Sequence, residues 1–419
     1  MTPTAVVVSV GDELLAGRVL DTNAHWIASV LRARGVSVVR RVTVPDQRGA
    51  IAEAVRDALR RAPIVVVGGG LGPTLDDLTR DGLADAFGVS IRRDAVLADA
   101  LAARTRARGR PVTESTLRQA DLPEGCVALE NPVGTAPAIL REHDGTLVLA
   151  VAGVPVEFRT LVERHLLPRI EAWPGRPQAP RTDSVTLCGI PEAEIGEALA
   201  DLMVRDRDPS IGSYPRLGNV TLVVTSTASD DHEALRRVAD DISEIRRRFP
   251  ASSLAPGRAL PAEAVAESAA RVEATIAVAE SLTAGLVASL LVDVPGASAY
   301  FRGGVVAYAD AVKERELDVP AAVLAAHGAV SEPAVRAMAE GVRRRFGTTH
   351  GVATTGVAGP GPDRGVPEGT VWIAVADASA TVAVSFRFGG GRDQIRGLAA
   401  GRAVDLLRRQ LCGLPPTAP

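Results

Sequence analysis

At 419 residues, 46% hydrophobic and only 3% aromatic, the chain suffices for roughly two or three domains with cores built from Val, Ala and Leu. A formal net charge of −3 gives no basic footprint for direct nucleic-acid contact. No apolar run is long enough to span a bilayer, so no membrane partner is expected.

Residues 1–172 alternate strand and helix signals. A strand from Thr4 to Val10 precedes a helix from Asn23 to Arg34 and a strand from Val36 to Val44. A helix from Arg48 to Arg61 then leads to a strand from Ile64 to Val67. Continuous apolar runs of this kind suit strands covered on both faces. The order predicts an α/β fold with an open, doubly wound, mostly parallel sheet, whose ligands sit beyond the carboxyl ends of its strands. Two loops fall there. One holds Gly11, Asp12 and Glu13; the other runs from Gly68 to Thr79 through Gly69, Gly70, Gly72, Thr74, Asp76 and Asp77. Glycine-rich backbone lets N–H groups close around a phosphate. Asp76 and Asp77, joined by Asp46 after the second strand, could hold a divalent metal bridging phosphate oxygens. The same residues also suit a tight strand-to-helix turn with helix-start charges.

Pro174 to Pro180 reads as a linker into a small α+β unit over 178–250, with strand, helix, two strands and helix in turn. It carries no cluster of catalytic residue types, so a spacer or dimer element is expected, and with it a homodimer. Ala251 to Pro261 reads as a second linker. Arg246 to Arg248 and Arg343 to Arg345 look like solvated helix faces.

The last α/β domain, 262–412, contains an apolar strand from Thr275 to Ala279, then Glu280, Ser281, Thr283 and a helix from Leu286 to Val292. Ser281 at a strand end, on the first turn of a helix, suits a nucleophile or an anion ligand; on geometry alone a helix cap is the more ordinary use of a serine there. A census adds weight to chemistry. Of 47 Lys+Arg residues only Lys313 is lysine. A lysine can lose its proton and an arginine cannot, and a Ser–Lys pair activates a hydroxyl without histidine. Tyr308 lies nearby in a chain with 3 tyrosines. A strand ends in a glycine-rich loop, Thr355 to Gly361, and Gly389 to Arg392 opens the final helix; loop N–H groups could form an oxyanion hole and Arg392 could take a phosphate. His327 and His350 read as ordinary loop or cap residues. The tail from Pro415 to Pro419 reads as disordered. Cys126, Cys188 and Cys412 lack metal-site spacing, and the N-terminus lacks a signal-peptide pattern, so reduced thiols in a cytoplasmic protein are expected.

Gly69 to Thr79, with Gly11 to Leu14, Asp21 to Asn23, Asn131 to Pro137 and Gly153 to Pro155, resembles the molybdopterin-binding fold of the competence/damage-inducible protein A (CinA) family. In that fold Asp77 and Asp46 line the ligand site, and the resemblance implies metal-dependent hydrolysis of ADP-ribose. The segments Ala279 to Gly285, Gly303 to Tyr308, Lys313, His327 to Glu332, Thr355 to Pro360, Gly369 to Trp372 and Arg392 resemble the family's C-terminal nicotinamide mononucleotide (NMN) deamidase domain. The resemblance makes Ser281 the nucleophile and Tyr308 and Lys313 its activating partners. The family's usual Cys-Thr-Gly-Gly after the serine is Leu282-Thr283-Ala284-Gly285 here, and Gly391 stands where an acid is common. Losing the cysteine favours the serine mechanism; Ala284 adds a Cβ where backbone approaches a ligand.

The expected reaction is conversion of NMN to nicotinic acid mononucleotide and ammonia, without cofactor. Ser281 attacks, Lys313 and Tyr308 manage the proton, Thr283 and loop N–H groups hold the oxyanion, and Thr355, Gly356, Gly359 and Arg392 bind substrate. ADP-ribose hydrolysis with a divalent metal in the N-terminal domain is the second expectation. A non-catalytic role in competence or DNA damage is the third, favoured if Ser281, Lys313 and Tyr308 lie far apart.

Overall fold

The computed structural model describes residues 3–109, 111–173, 175, 178–216 and 218–417. Pro174, Arg176 and Pro177 of the first expected linker, and Ala418 and Pro419 of the tail, lie outside the described residues. The chain forms two compact units, Met1–Pro180 with Thr227–Asp231, and Arg181–Ser226 with His232–Pro419.

In the first unit β1 (Thr4–Val10), β2 (Ser37–Val44) and β3 (Ile64–Gly68) are parallel neighbours. β4 (Ile91–Arg93) and β5 (Asp121–Pro123) form a separate antiparallel ribbon. β6 (Val127–Leu129), β7 (Ala138–His143) and β8 (Thr146–Val151) complete a six-stranded sheet in the order β2-β1-β3-β8-β7-β6. β8 joins β3 in parallel, and β6 and β7 run antiparallel at the edge. Alternation explains the unbroken valine runs. Ala5 and Val7 enter the core on one face with Ile27 and Phe158, while Val6 and Val8 enter the other with Ile51 and Val55.

The second unit begins with an antiparallel sheet of β9 (Arg181–Cys188), β10 (Ser210–Arg216) and β11 (Asn219–Ser226), ordered β10-β11-β9. Val220, Leu222 and Val224 alternate into a core shared with Val238, Ile242 and Ile245 of the helix Asp231–Arg248. The expected second linker is not free. Cys188 N–H donates to Ser252 O (2.8 Å) and Leu254 N–H to Thr186 O (2.9 Å), with Ser252 and Leu254 buried. Its first half therefore lies along the edge of β9, where its backbone groups find partners.

The second sheet of this unit runs β13-β12-β14-β15-β16: β12 (Ile276–Glu280), β13 (Phe301–Val306), β14 (His350–Gly356), β15 (Thr370–Ala376) and β16 (Thr381–Arg387). The first three are parallel; β15 and β16 form the expected antiparallel pair. Its faces differ. Ile276, Val278 and Val352 pack on the helix Arg392–Leu411, whereas Ala277, Ala279 and Ala353 give a small-residue face to Val335 and Met338 of the helix Glu332–Phe346. Small strand residues let that helix approach closely.

Candidate active site

The carboxyl ends of β13, β12 and β14 lie side by side. Ala307 N–H donates to Glu280 O (2.8 Å) and Ser281 N–H to Thr354 O (3.0 Å), so the ladder carries past the ends of the strands. Ser281, Tyr308 and Thr355 thus leave one edge of the sheet together. Glu332–Phe346 and Arg392–Leu411 cover the two faces behind them.

The turn that holds Ser281 differs from expectation. The following helix, Leu286–Val292, starts at a Gly285 cap, several residues beyond the serine. Its end is taken by the buried Glu280 carboxylate, which accepts from the N–H groups of Gly285 (2.8 Å), Val287 (3.1 Å) and Ala288 (2.8 Å). Neither a serine cap nor a free positive helix end faces Ser281, because a full negative charge already satisfies those donors. Ser281 is 8% exposed, and its hydroxyl is without a hydrogen bond among the described residues. Thr283 lies at 0% exposure with its hydroxyl against that of Thr354 (2.7 Å). That contact braces the turn from within. Ala284 is exposed at φ 49°, so its Cβ meets solvent, and its cost is backbone strain in the left-handed region.

Lys313 is 1% exposed, on the helix Asp310–Leu317. Its Nζ donates to Tyr308 O (3.1 Å) and lies 3.7 Å from Asp310 Oδ1. Burial pulls the ammonium below the ordinary lysine value, against the raising effect of Asp310, while the Arg364 charge pulls the same way as burial. Arg364 pairs with Asp310 at 2.7 Å. Among the described residues no hydrogen bond joins Lys313 or Tyr308 directly to the Ser281 hydroxyl.

The glycine-rich loop and the final helix meet over Tyr308. Arg392 Nη1 donates to Gly359 O (2.6 Å) and Nη2 to the exposed Tyr308 Oη (3.1 Å). Glu368 accepts from Gly361 N–H (2.7 Å), closing the loop from the far side. Thr355 is buried and its hydroxyl donates to Ala329 O (2.8 Å), which fastens a neighbouring loop. Gly356 pairs with Val371 on β15. Sequence reasoning missed Arg396, whose guanidinium donates to Leu282 O (2.9 Å) and Thr283 O (3.2 Å). The signal was its place one helical turn after Arg392. Gly391 is the N-cap residue of this helix, and Asp393 supplies an acid in its first turn. His350 opens β14, at the strand end opposite the site.

In the first unit a cavity of about 560 Å³ opens at the carboxyl ends of the parallel strands, lined among others by Gly11, Asp46, Gly69, Gly70, Asp76 and Asp77. Gly69 has φ 108°, and any Cβ there would strike Val10 O. Asp12 N–H donates to Asp46 (2.9 Å). Burial pushes the Asp46 carboxyl up, against that hydrogen bond, and the charges of Asp12, Glu13 and Asp76 push it further. Asp77 accepts from the N–H groups of Gly72 (2.7 Å) and Thr74 (2.8 Å) and from the Thr74 hydroxyl. Its oxygens therefore shape the loop that carries Asp76 and Asp77, the two residues expected to hold a metal. Among the described residues no group of three or more His, Cys, Asp or Glu is placed to hold a metal. Arg80, also missed, grips Leu71 O and Gly72 O from beneath.

The CinA C-terminal domain model matches residues 259–411, the probable molybdopterin binding domain model residues 6–172, and the damage-inducible protein CinA KH domain model residues 182–252. A CinA-like protein of Frankia casuarinae is 42% identical, covering 98% of this chain and 97% of that protein. A putative competence-damage inducible protein of Symbiobacterium thermophilum is 38% identical, covering 98% and 99%. Among solved structures, the protein CinA with unknown function from Thermoplasma acidophilum is 39% identical over 39% of this chain and 95% of its own, with a TM-score of 0.37. Also among the described residues, no helix is long and apolar enough to cross a membrane. With similarity along nearly its whole length and each segment matched by its own model, the chain belongs to the CinA family.

Proposed function

We propose that this chain is an amidohydrolase that converts NMN to nicotinic acid mononucleotide and ammonia at the β12–β13–β14 edge. The observation that carries this is the burial of the only lysine, Lys313, on the backbone of Tyr308, one strand over from Ser281. A desolvated amine is easier to neutralise and can then accept a proton. Ser281 Oγ attacks the carboxamide carbon as its proton passes to the neutral Lys313 amine. The tetrahedral intermediate collapses with that proton going to the departing nitrogen, and ammonia leaves an acyl-serine. Water then adds, giving the carboxylate and the free serine. Tyr308, polarised by Arg392, donates toward the reacting atoms, and Arg392 meets the substrate phosphate. Ammonia release from NMN by the purified chain tests this; full turnover by Ser281→Ala would exclude the acyl-serine.

The 560 Å³ cavity favours a second activity, hydrolysis of ADP-ribose in the first unit, since its size suits a nucleotide. Turnover of ADP-ribose with and without chelator tests both the reaction and the expected metal. Loss through Asp46→Ala with NMN turnover intact would separate it from the amidase.

A further inference from the structure

A second cavity, of about 510 Å³, lies wholly within the second unit, where the helices Asp231–Arg248, Pro261–Arg271 and Arg392–Leu411 come together under Pro250 to Pro256. Its lining includes Arg246, Ser253, Glu267, Arg271, Arg408 and Cys412. None of these residues belongs to either site described above.

Three arginines and one carboxylate face this space, and the carboxylate is spent: Glu267 pairs with Arg258 at 3.2 Å. The neighbouring Arg247 and Arg248 on the same helix are both neutralised by Glu244. Arg246 and Arg271 have no ion-pair or hydrogen-bond partner among the described residues. Two further groups are unsatisfied. Arg246 Nε and Ser253 Oγ are shielded from water without a partner. Such groups cost free energy unless something binds them. Arg408 is 3% exposed and held by Asp405 and Ala251 O through Nε and Nη2, which leaves its Nη1 without a protein hydrogen bond. Two guanidinium groups without an acid partner, Arg246 and Arg271, beside the free Nη1 of Arg408, around a concave space, match the oxygens of a phosphate. Leu254, Pro256 and Leu414 supply an apolar wall, and the volume exceeds that of a lone phosphate and suits a nucleotide.

We infer that this cavity binds a phosphorylated small molecule of nucleotide size, with its phosphates on Arg246, Arg271 and Arg408 and its ring against the apolar wall. The ligand would tie the helix Asp231–Arg248 of the small sheet to the two helices of the neighbouring one.

Cys412 reports occupancy at the site itself. It is exposed, lines the cavity, and sits 3.2 Å from Ser268 Oγ. The full chain is alkylated with iodoacetamide and each cysteine followed by peptide mass spectrometry, in the presence of ADP, inorganic pyrophosphate or a single-stranded oligonucleotide. ADP should slow alkylation of Cys412 and leave Cys126 unchanged. Arg246→Gln with Arg271→Gln should raise the half-protecting ADP concentration about tenfold or more, the loss expected for charged hydrogen bonds. Glu267→Gln should lower it. Arg271→Gln alone, at an exposed position, supplies the same test if the double variant is unstable. Alkylation unmoved by ADP up to millimolar concentration, protection that survives the arginine substitutions, or protection by the oligonucleotide alone overturns the inference. Because the readout is one thiol far in sequence from Ser281, failure here leaves the amidase proposal standing.

Discussion

Lys313 Nζ donates to the backbone carbonyl of Tyr308 across 3.1 Å, so one short segment fixes both the amine and the phenol. The helix between them presents Lys313 inward, and the carbonyl stands where β13 has just left the sheet beside β12. A carbonyl accepts from an ammonium or from a neutral amine, and it favours the charged form far less than a carboxylate does. It therefore orients the nitrogen without forcing it to keep its charge, as a carboxylate at the same place would.

Replacing the amine by a group that cannot lose its proton should then remove turnover while keeping charge. Lys313→Arg and Ser281→Ala are each expected to lower kcat for NMN by about a thousandfold or more, read as ammonia release. A Lys313→Arg variant within tenfold of the parent would end the proton-acceptor role.

The acid limb of the pH profile follows from the same geometry. Activity requires neutral Lys313, so kcat/KM should rise with pH through a lysine value below the ordinary 10.5. Asp310→Asn removes the charge that raises it and should move the limb to lower pH. Arg364→Gln frees Asp310 and should move it up. Stability has a matching sign. The unfolded chain binds the proton more readily, so folding stability falls as pH drops from the unfolded lysine value to the folded one and is level below that. Limbs that coincide in all three proteins would mean that another group is being titrated.

Much of the scaffold could be read from periodicity. Val6 and Val7 enter opposite cores because a parallel sheet is covered on both faces, and the helix Leu286–Val292 was legible from its apolar run. The single lysine stood out in a census, although its burial depends on packing against elements far along the chain. What pattern could not carry was the division of labour among neighbours. Glu280, Ser281 and Thr283 are adjacent polar residues, yet one caps a helix, one keeps a free hydroxyl and one is locked to Thr354. Only the partner each side chain meets in the fold decides which. Likewise the pattern that offers Asp77 as a metal ligand does not show that Gly72 and Thr74 donate to its oxygens.

Ala284 pays for its left-handed backbone and gains nothing in contact, being exposed at φ 49°. Ala284→Gly should stabilise the chain by about 0.5–1 kcal/mol, the strain relieved less the added entropy of glycine. A urea midpoint that falls in the variant would show that the turn prefers its Cβ.

Glu280 binds three helix-end N–H groups from a buried position, so neutralising it should be felt twice. Glu280→Gln keeps the shape but loses the charge and one acceptor oxygen; it should cost about 1–2 kcal/mol of stability. Because Ser281 is the next residue, kcat should fall as well, while the KM for NMN changes less. Unchanged stability would mean that water replaces the carboxylate at that helix end.

Asp77 separates a loop-shaping role from a ligand-binding one. Three donors of the Gly72–Thr74 turn converge on its carboxylate, so Asp77→Ala leaves them without a partner beside the 560 Å³ cavity. The amides of Gly72 and Thr74 should then exchange with solvent much faster, while those of β1 and β3 keep their protection. Asp77→Asn retains one carbonyl acceptor and should restore part of that protection, because holding backbone N–H groups needs an oxygen and not a full charge. A metal ligand would behave otherwise. Asn and Ala would then be about equally harmful to ADP-ribose turnover, even where Asn restores slow exchange in the loop. Partial rescue of exchange by Asn, together with partial rescue of turnover, would place Asp77 behind the loop and leave Asp46 as the carboxylate that meets the ligand.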